Sequence, residues 1–221
     1  MNRYTEPQWS RSALITIDTQ CDTLDGRPFE VVGTSAILPR LATLLQAFRS
    51  AKKPIIHIVR IYKADGSNAD LCRKELVESG AALLLAGSSG CQLAPELLPH
   101  VGIELDTNLL LSGGVQILNS GEVTIYKPRW GAFYSTPLER YLQEKGVSTL
   151  VFSGCNFPNC PRTSIYEASE RDFRVVLAED AVSGLNDQGK MEMHNIGVAL
   201  LSTNNIIDAL TPMLHKKDGQ K

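Results

Sequence analysis

Two cysteines stand five residues apart in GCNFPNCPR (154–162), in a chain that has only five. So close a pair can ligate a metal, form half of a redox centre or a disulfide, fill a core, or supply a nucleophile with a bystander. Zinc asks for about four ligands at set spacing, and no second Cys/His pair accompanies this one. Redox pairs prefer the tighter C-x-x-C. An odd number of cysteines, spread along the chain, suits a reducing compartment better than a disulfide scaffold. Cys160 precedes PRTSIYEA, and proline is favoured in the first turn of a helix, so Cys160 falls at about the N-cap. Backbone N–H groups and the helix dipole favour an anion there, which predicts a thiol pKa below the free value of about 8.5. A lysine nearby lowers it further, and an aspartate nearby can take the proton: an activated nucleophile with its base. Cys155 follows a confined glycine and reads as a small buried filler.

The elements that must position these groups are legible as alternating patterns. Apolar runs at 12–18, 54–60, 122–127, 148–154 and 173–180 read as buried parallel strands, with 203–208 as a sixth, edge strand. Helical spacing or caps mark 35–53, 136–146, 161–172 and 187–202. The fold class is therefore α/β: a doubly wound, mostly parallel, six-stranded sheet with helices on both faces, a Rossmann-like three-layer arrangement. One domain is expected over 1–221, with an insertion at about 61–121 that holds a helix at 68–79. That insertion either covers a sheet edge, walls a pocket or forms a subunit interface. Open parallel sheets bind ligands at the carboxyl ends of their strands. The first strand ends at Asp18, the third at Lys127, and the fourth at Gly154 with the cysteine loop behind it. Acid, lysine and thiol thus converge on one rim.

Composition removes several classes. The net charge of -2 and dispersed Lys and Arg, apart from Lys216 and Lys217, leave no basic patch for nucleic acid. No run of about 18 apolar residues suggests a membrane span, and the N-terminus lacks the apolar core of a signal peptide, so a cytoplasmic protein is expected. A dinucleotide-binding oxidoreductase needs G-x-G-x-x-G after its first strand, and DTQCDTLDGRP does not supply it.

Taken in order and spacing, LITIDTQ, YKPRWGAF and GCNFPNCPRTSIYEASERDFRVVLAEDAVSG resemble the isochorismatase-like cysteine hydrolases, which include nicotinamidases and N-carbamoylsarcosine amidases. The resemblance implies a catalytic triad of Asp18, Lys127 and Cys160. It implies a cis peptide at Cys155–Asn156 and an oxyanion hole made by the Asn156 and Cys160 N–H groups. It also implies a homodimer or homotetramer, a small-molecule substrate and an amidase-type activity through a thioester. Nicotinamidases carry an Asp-x-His metal motif soon after the second strand; here IYKADGSNAD follows, so His57 reads as a core residue and no metal or other cofactor is expected. Isochorismatases proper cleave a vinyl ether without a nucleophilic cysteine, so Cys160 argues for C–N hydrolysis, closest in motif to the biuret hydrolase and carbamoyl-amide branch. An isochorismatase-type hydrolase of another small molecule, or a non-catalytic binding protein on the same fold, is the alternative. Four further residues are candidates for substrate binding. Gln20 lines the site or bonds the backbone. Trp130 and Phe133 wall the pocket or pack on the 136–146 helix. Arg162 binds a substrate carboxylate or pairs with a surface acid such as Glu170.

Overall fold

The computed structural model describes residues 3–215; Lys216 and Lys217 lie outside the described residues. Seven strands form one sheet in the order β3-β4-β2-β1-β5-β6-β7. The central strand β1 (Ser12–Ile17) is buried throughout and pairs in parallel with β2 (Ile55–Val59) and β5 (Thr149–Gly154). Outward on one side lie β4 (Glu122–Tyr126), parallel to β2, and β3 (Val115–Asn119), antiparallel to β4. On the other lie β6 (Arg174–Val182) and β7 (Ala199–Leu201), both parallel. The chain leaves β1 toward β2 and later returns on its opposite side with β5. The carboxyl ends of β1 and β5 therefore flank the point where strand order reverses, the usual place for a ligand in such sheets.

Each β-strand turns alternate residues to opposite faces, and helices cover both. On one face Ile15, Ile17, Ile58, Ile125 and Phe152 pack against α4 (Leu138–Glu144), α5 (Cys160–Ser169) and α6 (Asp187–Asn195). On the other, Leu14, Val59, Val151 and Val176 meet α1 (Thr34–Ser50) and α7 (Thr203–His215). The stripe Leu41, Leu44, Leu45 and Phe48 of α1 is fully buried. Each such side chain contributes roughly 1.5–3 kcal/mol relative to exposure. Among the described residues no helix is long and apolar enough to cross a membrane.

The α/β class, the mostly parallel sheet and the three layers match expectation; the strand count does not. The segment 203–208 is helix, not an edge strand: Ile206 and Leu210 lie four apart and bury one face of α7 against α1. Asp180 Oδ1 receives the Thr203 N–H at 2.7 Å and its hydroxyl at 2.8 Å, anchoring the helix start. The edge strand is the preceding apolar run, β7, so α6 stops at Asn195 instead of running to 202. Strand β3 was not expected at all; it closes a hairpin onto β4 through a turn with Gly121 at φ 79°. It lies within 61–121, together with α2 (Leu71–Glu78) and α3 (Thr107–Leu111).

Candidate active site

Gly154 ends β5 at φ 105°, and a Cβ there would fall 2.2 Å from the Ile17 carbonyl oxygen. Only glycine lets the β5 terminus lie this close to β1. One residue beyond Ile17, Asp18 adopts φ 46°, a left-handed conformation that residues other than glycine seldom take. Neighbours hold it there. The Asp18 N–H donates to Ile58 O at 2.9 Å, and its carbonyl accepts from Gln20 N at 3.0 Å and Thr23 Oγ1 at 3.1 Å. Cys155 Sγ donates to the same carbonyl at 3.1 Å. Cys155 is thus more than filler: it ties the cysteine loop to the turn that carries Asp18. Burial pushes its thiol up to about 12, so it is inert as a nucleophile near neutrality.

The turn delivers the Asp18 carboxylate to Lys127, which follows β4; Oδ2 lies 2.8 Å from Nζ. Lys127 Nζ also donates to Cys160 Sγ at 3.3 Å and to Arg129 O at 3.2 Å. Burial opposes the ammonium charge, yet Asp18 and Cys160 together carry the Lys127 pKa upward, so it remains a cation. The other Asp18 oxygen, Oδ1, is buried without a hydrogen-bond partner among the described residues. Such an oxygen is costly to keep unless something is to donate to it. Asn159 is the N-cap of α5 and Cys160 its first residue, with Pro161 in the first turn, so the helix begins one position earlier than the sequence suggested. The Cys155–Asn156 peptide is cis. Neither the Asn156 nor the Cys160 N–H donates to a backbone carbonyl outside regular elements among the described residues.

The expected lowering of the Cys160 pKa is corrected. Burial raises it first, the Asp18 carboxylate adds to the rise, and Lys127 only partly opposes them. Removing a thiolate from water outweighs the helix terminus at a residue 8% exposed. Burial and the Asp18 carboxylate both favour the protonated thiol at Cys160. Alkylation of Cys160 by iodoacetamide should therefore climb about tenfold per pH unit from about pH 7 to 9, following the thiolate fraction. A rate already level at about pH 7, read by peptide mass mapping, would show an ionised resting cysteine instead.

The remaining candidates divide. Trp130 lines the cavity in front of Cys160. Gln20 does not: it is fully buried, its amide donates to Arg60 O at 2.9 Å and Cys91 O at 2.6 Å, and its oxygen accepts from Arg60 N at 2.9 Å. Phe133 lies in the core with its ring 5.9 Å from that of Phe173, and its N–H donates to Glu167 of α5 at 2.9 Å. Arg162 pairs at 2.5 Å with Glu192 of α6, not with Glu170 and not with the cavity. His57 is fully buried between Thr16 and Glu122. Among the described residues no group of three or more His, Cys, Asp or Glu is gathered for a metal ion.

Sequence reasoning missed Arg60, Tyr62, Asp70 and Arg73, all of which line the cavity. Arg60 was findable, since it is the residue directly after β2 and obeys the same strand-end rule that located Asp18 and Lys127. Its guanidinium bonds Lys127 O at 3.1 Å, pairs with Asp70 and stacks 4.6 Å from the Tyr62 ring, while Tyr62 donates to Asp70 at 2.9 Å. Tyr62 lies in the irregular path after β2, and Asp70 and Arg73 at the start of α2, where the sequence predicts a helix but not which of its polar residues turn to the cavity.

Three comparisons bear on this geometry. The isochorismatase domain model matches residues 111–208. The solved structure of an isochorismatase family protein from Desulfovibrio vulgaris is 30% identical, with a TM-score of 0.77 over 91% of this chain and 98% of that one. A probable inactive nicotinamidase of Arabidopsis thaliana is 27% identical over 95% of both chains. The ureidoacrylate amidohydrolase RutB of Methylobacterium radiotolerans is 26% identical over 81% of this chain and 66% of its own.

Proposed function

We propose that this chain, which belongs to the isochorismatase family of hydrolases, is a cysteine hydrolase that cleaves a C–N bond of a small amide, ureide or carbamoyl compound through a thioester. The observation that carries the reading is one cation, Lys127, held between a carboxylate at 2.8 Å and a thiol at 3.3 Å. A buried ammonium in that position is preorganised to stabilise the negative charge that develops on sulfur. In the proposed sequence Asp18 Oδ1 takes the Cys160 proton as sulfur attacks the carbonyl carbon. The Asn156 and Cys160 N–H groups donate to the oxyanion. The intermediate collapses, the C–N bond breaks, and the amine leaves with the proton Asp18 received. Asp18 then takes a proton from water, the hydroxide attacks the thioester carbon, the C–S bond breaks to release the acid, and Asp18 returns the proton to the Cys160 sulfur. The raised thiol pKa fits this scheme, because proton transfer then accompanies attack and no standing thiolate is exposed to oxidants.

The test is ammonia release over a panel of ureides, carbamoyl amino acids and small primary amides. At least one class is expected to turn over, with an acyl adduct on Cys160 in acid-quenched samples and no turnover in Cys160→Ser. Release that persists in Cys160→Ser removes the proposal. The description of the Arabidopsis relative as inactive supports a second reading, a binding protein on the same fold, which predicts a panel with no release at all.

A further inference from the structure

Asp18 and Lys127 come from strands that do not pair with each other. The order β4-β2-β1 puts β2 between them. Two strand spacings set their backbones about 10 Å apart. Their side chains nonetheless meet at 2.8 Å over the end of β2. Both backbones hang on that end. The Asp18 N–H donates to Ile58 O at 2.9 Å from one side, and the Lys127 N–H to Val59 O at 3.0 Å from the other. Arg60 is the next residue. The Gln20 carboxamide accepts the Arg60 N–H and donates to the Arg60 carbonyl, each at 2.9 Å. The Gln20 N–H in turn donates to Asp18 O at 3.0 Å. On the far side Arg60 Nη1 donates to Lys127 O at 3.1 Å. The links run in series from Asp18 through Gln20 and Arg60 to Lys127.

We propose that Gln20 and Arg60 are positioning residues, a strap across the end of β2 that sets the spacing of the base and the cation. This rests on the hydrolase reading and adds two residues that none of its steps uses. Both side chains are already engaged. Gln20 is fully buried and Arg60 is 5% exposed. The Arg60 guanidinium is occupied by Lys127 O at Nη1, by Asp70 at Nη2, and by the Tyr62 ring 4.6 Å from its face. The Tyr62 hydroxyl donates to the same Asp70 oxygen at 2.9 Å and fixes that carboxylate. A planar fork so restrained loses little further freedom on meeting a carbonyl, and the point charge of a lysine does not reproduce its two directions. A carboxamide meets the N–H and the C=O of one residue at once, which no ionised side chain can do. Spacing matters because a shift of about 1 Å between reacting groups can cost about 10²-fold in rate.

The test uses Gln20→Met and Arg60→Lys, singly and together, in two assays. Gln20→Met changes no charge, and Arg60→Lys keeps a cation beside Asp70, so the cut falls on the links. In ammonia release from a panel substrate, each single variant is expected to lower kcat by about 30-fold with KM within about twofold of wild type. A strap in series fails once, so the double variant should also lose about 30-fold, where independent roles would multiply to about 900-fold. The second assay is alkylation of Cys160 by iodoacetamide from about pH 7 to 9. Lys127 opposes the groups that raise the Cys160 pKa. A slack Lys127 should therefore slow alkylation at every pH, by about tenfold if the thiol rises by about one unit. Buried Cys91 and Cys155 should stay unlabelled, which reports an intact fold. If Gln20→Met exposes them, Arg60→Lys decides alone through kcat and alkylation. Alkylation at the wild-type rate, kcat within about threefold of wild type, a rise in KM alone, or a multiplicative double variant overturns the proposal. The two readings fail separately. Slowed alkylation in the variants with no ammonia from wild type keeps the strap and removes the hydrolase. Ammonia from wild type, with variants that match it in both assays, does the reverse.

Discussion

Asp18→Asn is expected to lower turnover by about 10⁴-fold, the loss seen when the base of a nucleophile–base pair is disabled. Asparagine keeps the size and can still turn an oxygen toward Lys127 Nζ, now 2.8 Å from Oδ2. It cannot offer the lone pair of Oδ1 to the thiol proton, because an NH2 group takes that place. The same change removes one of the groups that raise the Cys160 pKa. Thiolate becomes more abundant at a given pH, so iodoacetamide should alkylate Cys160 faster in the variant even as hydrolysis collapses. Opposite movement of the two rates separates lost chemistry from a lost fold, since a disordered site slows turnover without that specific gain. Lys127 also loses its counter-charge, which costs stability, so both rates are read below the variant's melting range. Retention of more than about a tenth of wild-type turnover would remove Asp18 from the base role.

Why Asp18, Lys127 and Cys160 could be read from the sequence while their neighbours could not is a matter of range. Each of the three lies at or just beyond the end of an apolar strand, and parallel pairing brings β1, β4 and β5 termini to one rim whatever lies between. Their convergence follows from local pattern plus topology. Gln20 lies three residues past the end of β1 and Arg162 two past Cys160, yet their side chains are committed elsewhere. Arg162 meets Glu192, which is 30 positions away on a helix whose placement depends on the whole β6 crossover. Gln20 is taken by the backbone at Arg60 and Cys91, and the latter sits in an irregular stretch with no periodicity. The cavity walls Tyr62 and Leu84 belong to irregular segments, tied by contacts such as Leu84 N–H to Asp22 at 2.7 Å, whereas Asp70 and Arg73 sit at the start of the expected helix α2, whose facing the sequence does not fix. No residue pattern announces contacts of that kind.

The failure at β7 has a different cause. ALL at 199–201 and NIID at 205–208 are both apolar, and three residues of strand are too few to show a period. The Ile206 and Leu210 pair, four apart, does not decide, because a helix and a strand would each place it on one face. Only the docking surface of α1 distinguishes them. The raised Cys160 pKa was missed for a related reason: the helix terminus is local and visible in the sequence, whereas burial is a property of the assembled site.

Burial also makes the opposite face of this sheet sensitive to acid. Glu122 at the start of β4 is 1% exposed, and Arg49 of α1 grips it from both nitrogens, Nη2 to Oε1 at 2.7 Å and Nε to Oε2 at 2.9 Å. His57 of β2 meets Oε1 at 2.9 Å, and its other ring nitrogen meets the Thr16 hydroxyl of β1 at 2.8 Å. One chain of bonds thus ties α1 to three strands. Burial alone would raise the Glu122 pKa, but Arg49 and His57 overcome it and hold the carboxyl down at about 2, against 4.5 when free. A depressed carboxylate contributes stability that is complete above its unfolded pKa and is lost as pH falls toward the folded one. The window here runs from about 4.5 to 2. Burial lowers the His57 pKa from 6.5, which adds a loss of the same sign beginning nearer neutrality. Glu122→Gln leaves Arg49 without its counter-charge and is expected to cost about 3–5 kcal/mol at neutral pH, the usual consequence of breaking a buried pair. That is a large share of a typical domain stability of about 5–15 kcal/mol. The gap between wild type and variant, from urea unfolding at a series of pH values, should narrow as pH drops through the window because acid removes from the wild type what the substitution has already removed. A variant less than about 1 kcal/mol down at neutral pH would make the pair a bystander. So would a gap that stays constant from about pH 6 to 3, since linkage requires it to close.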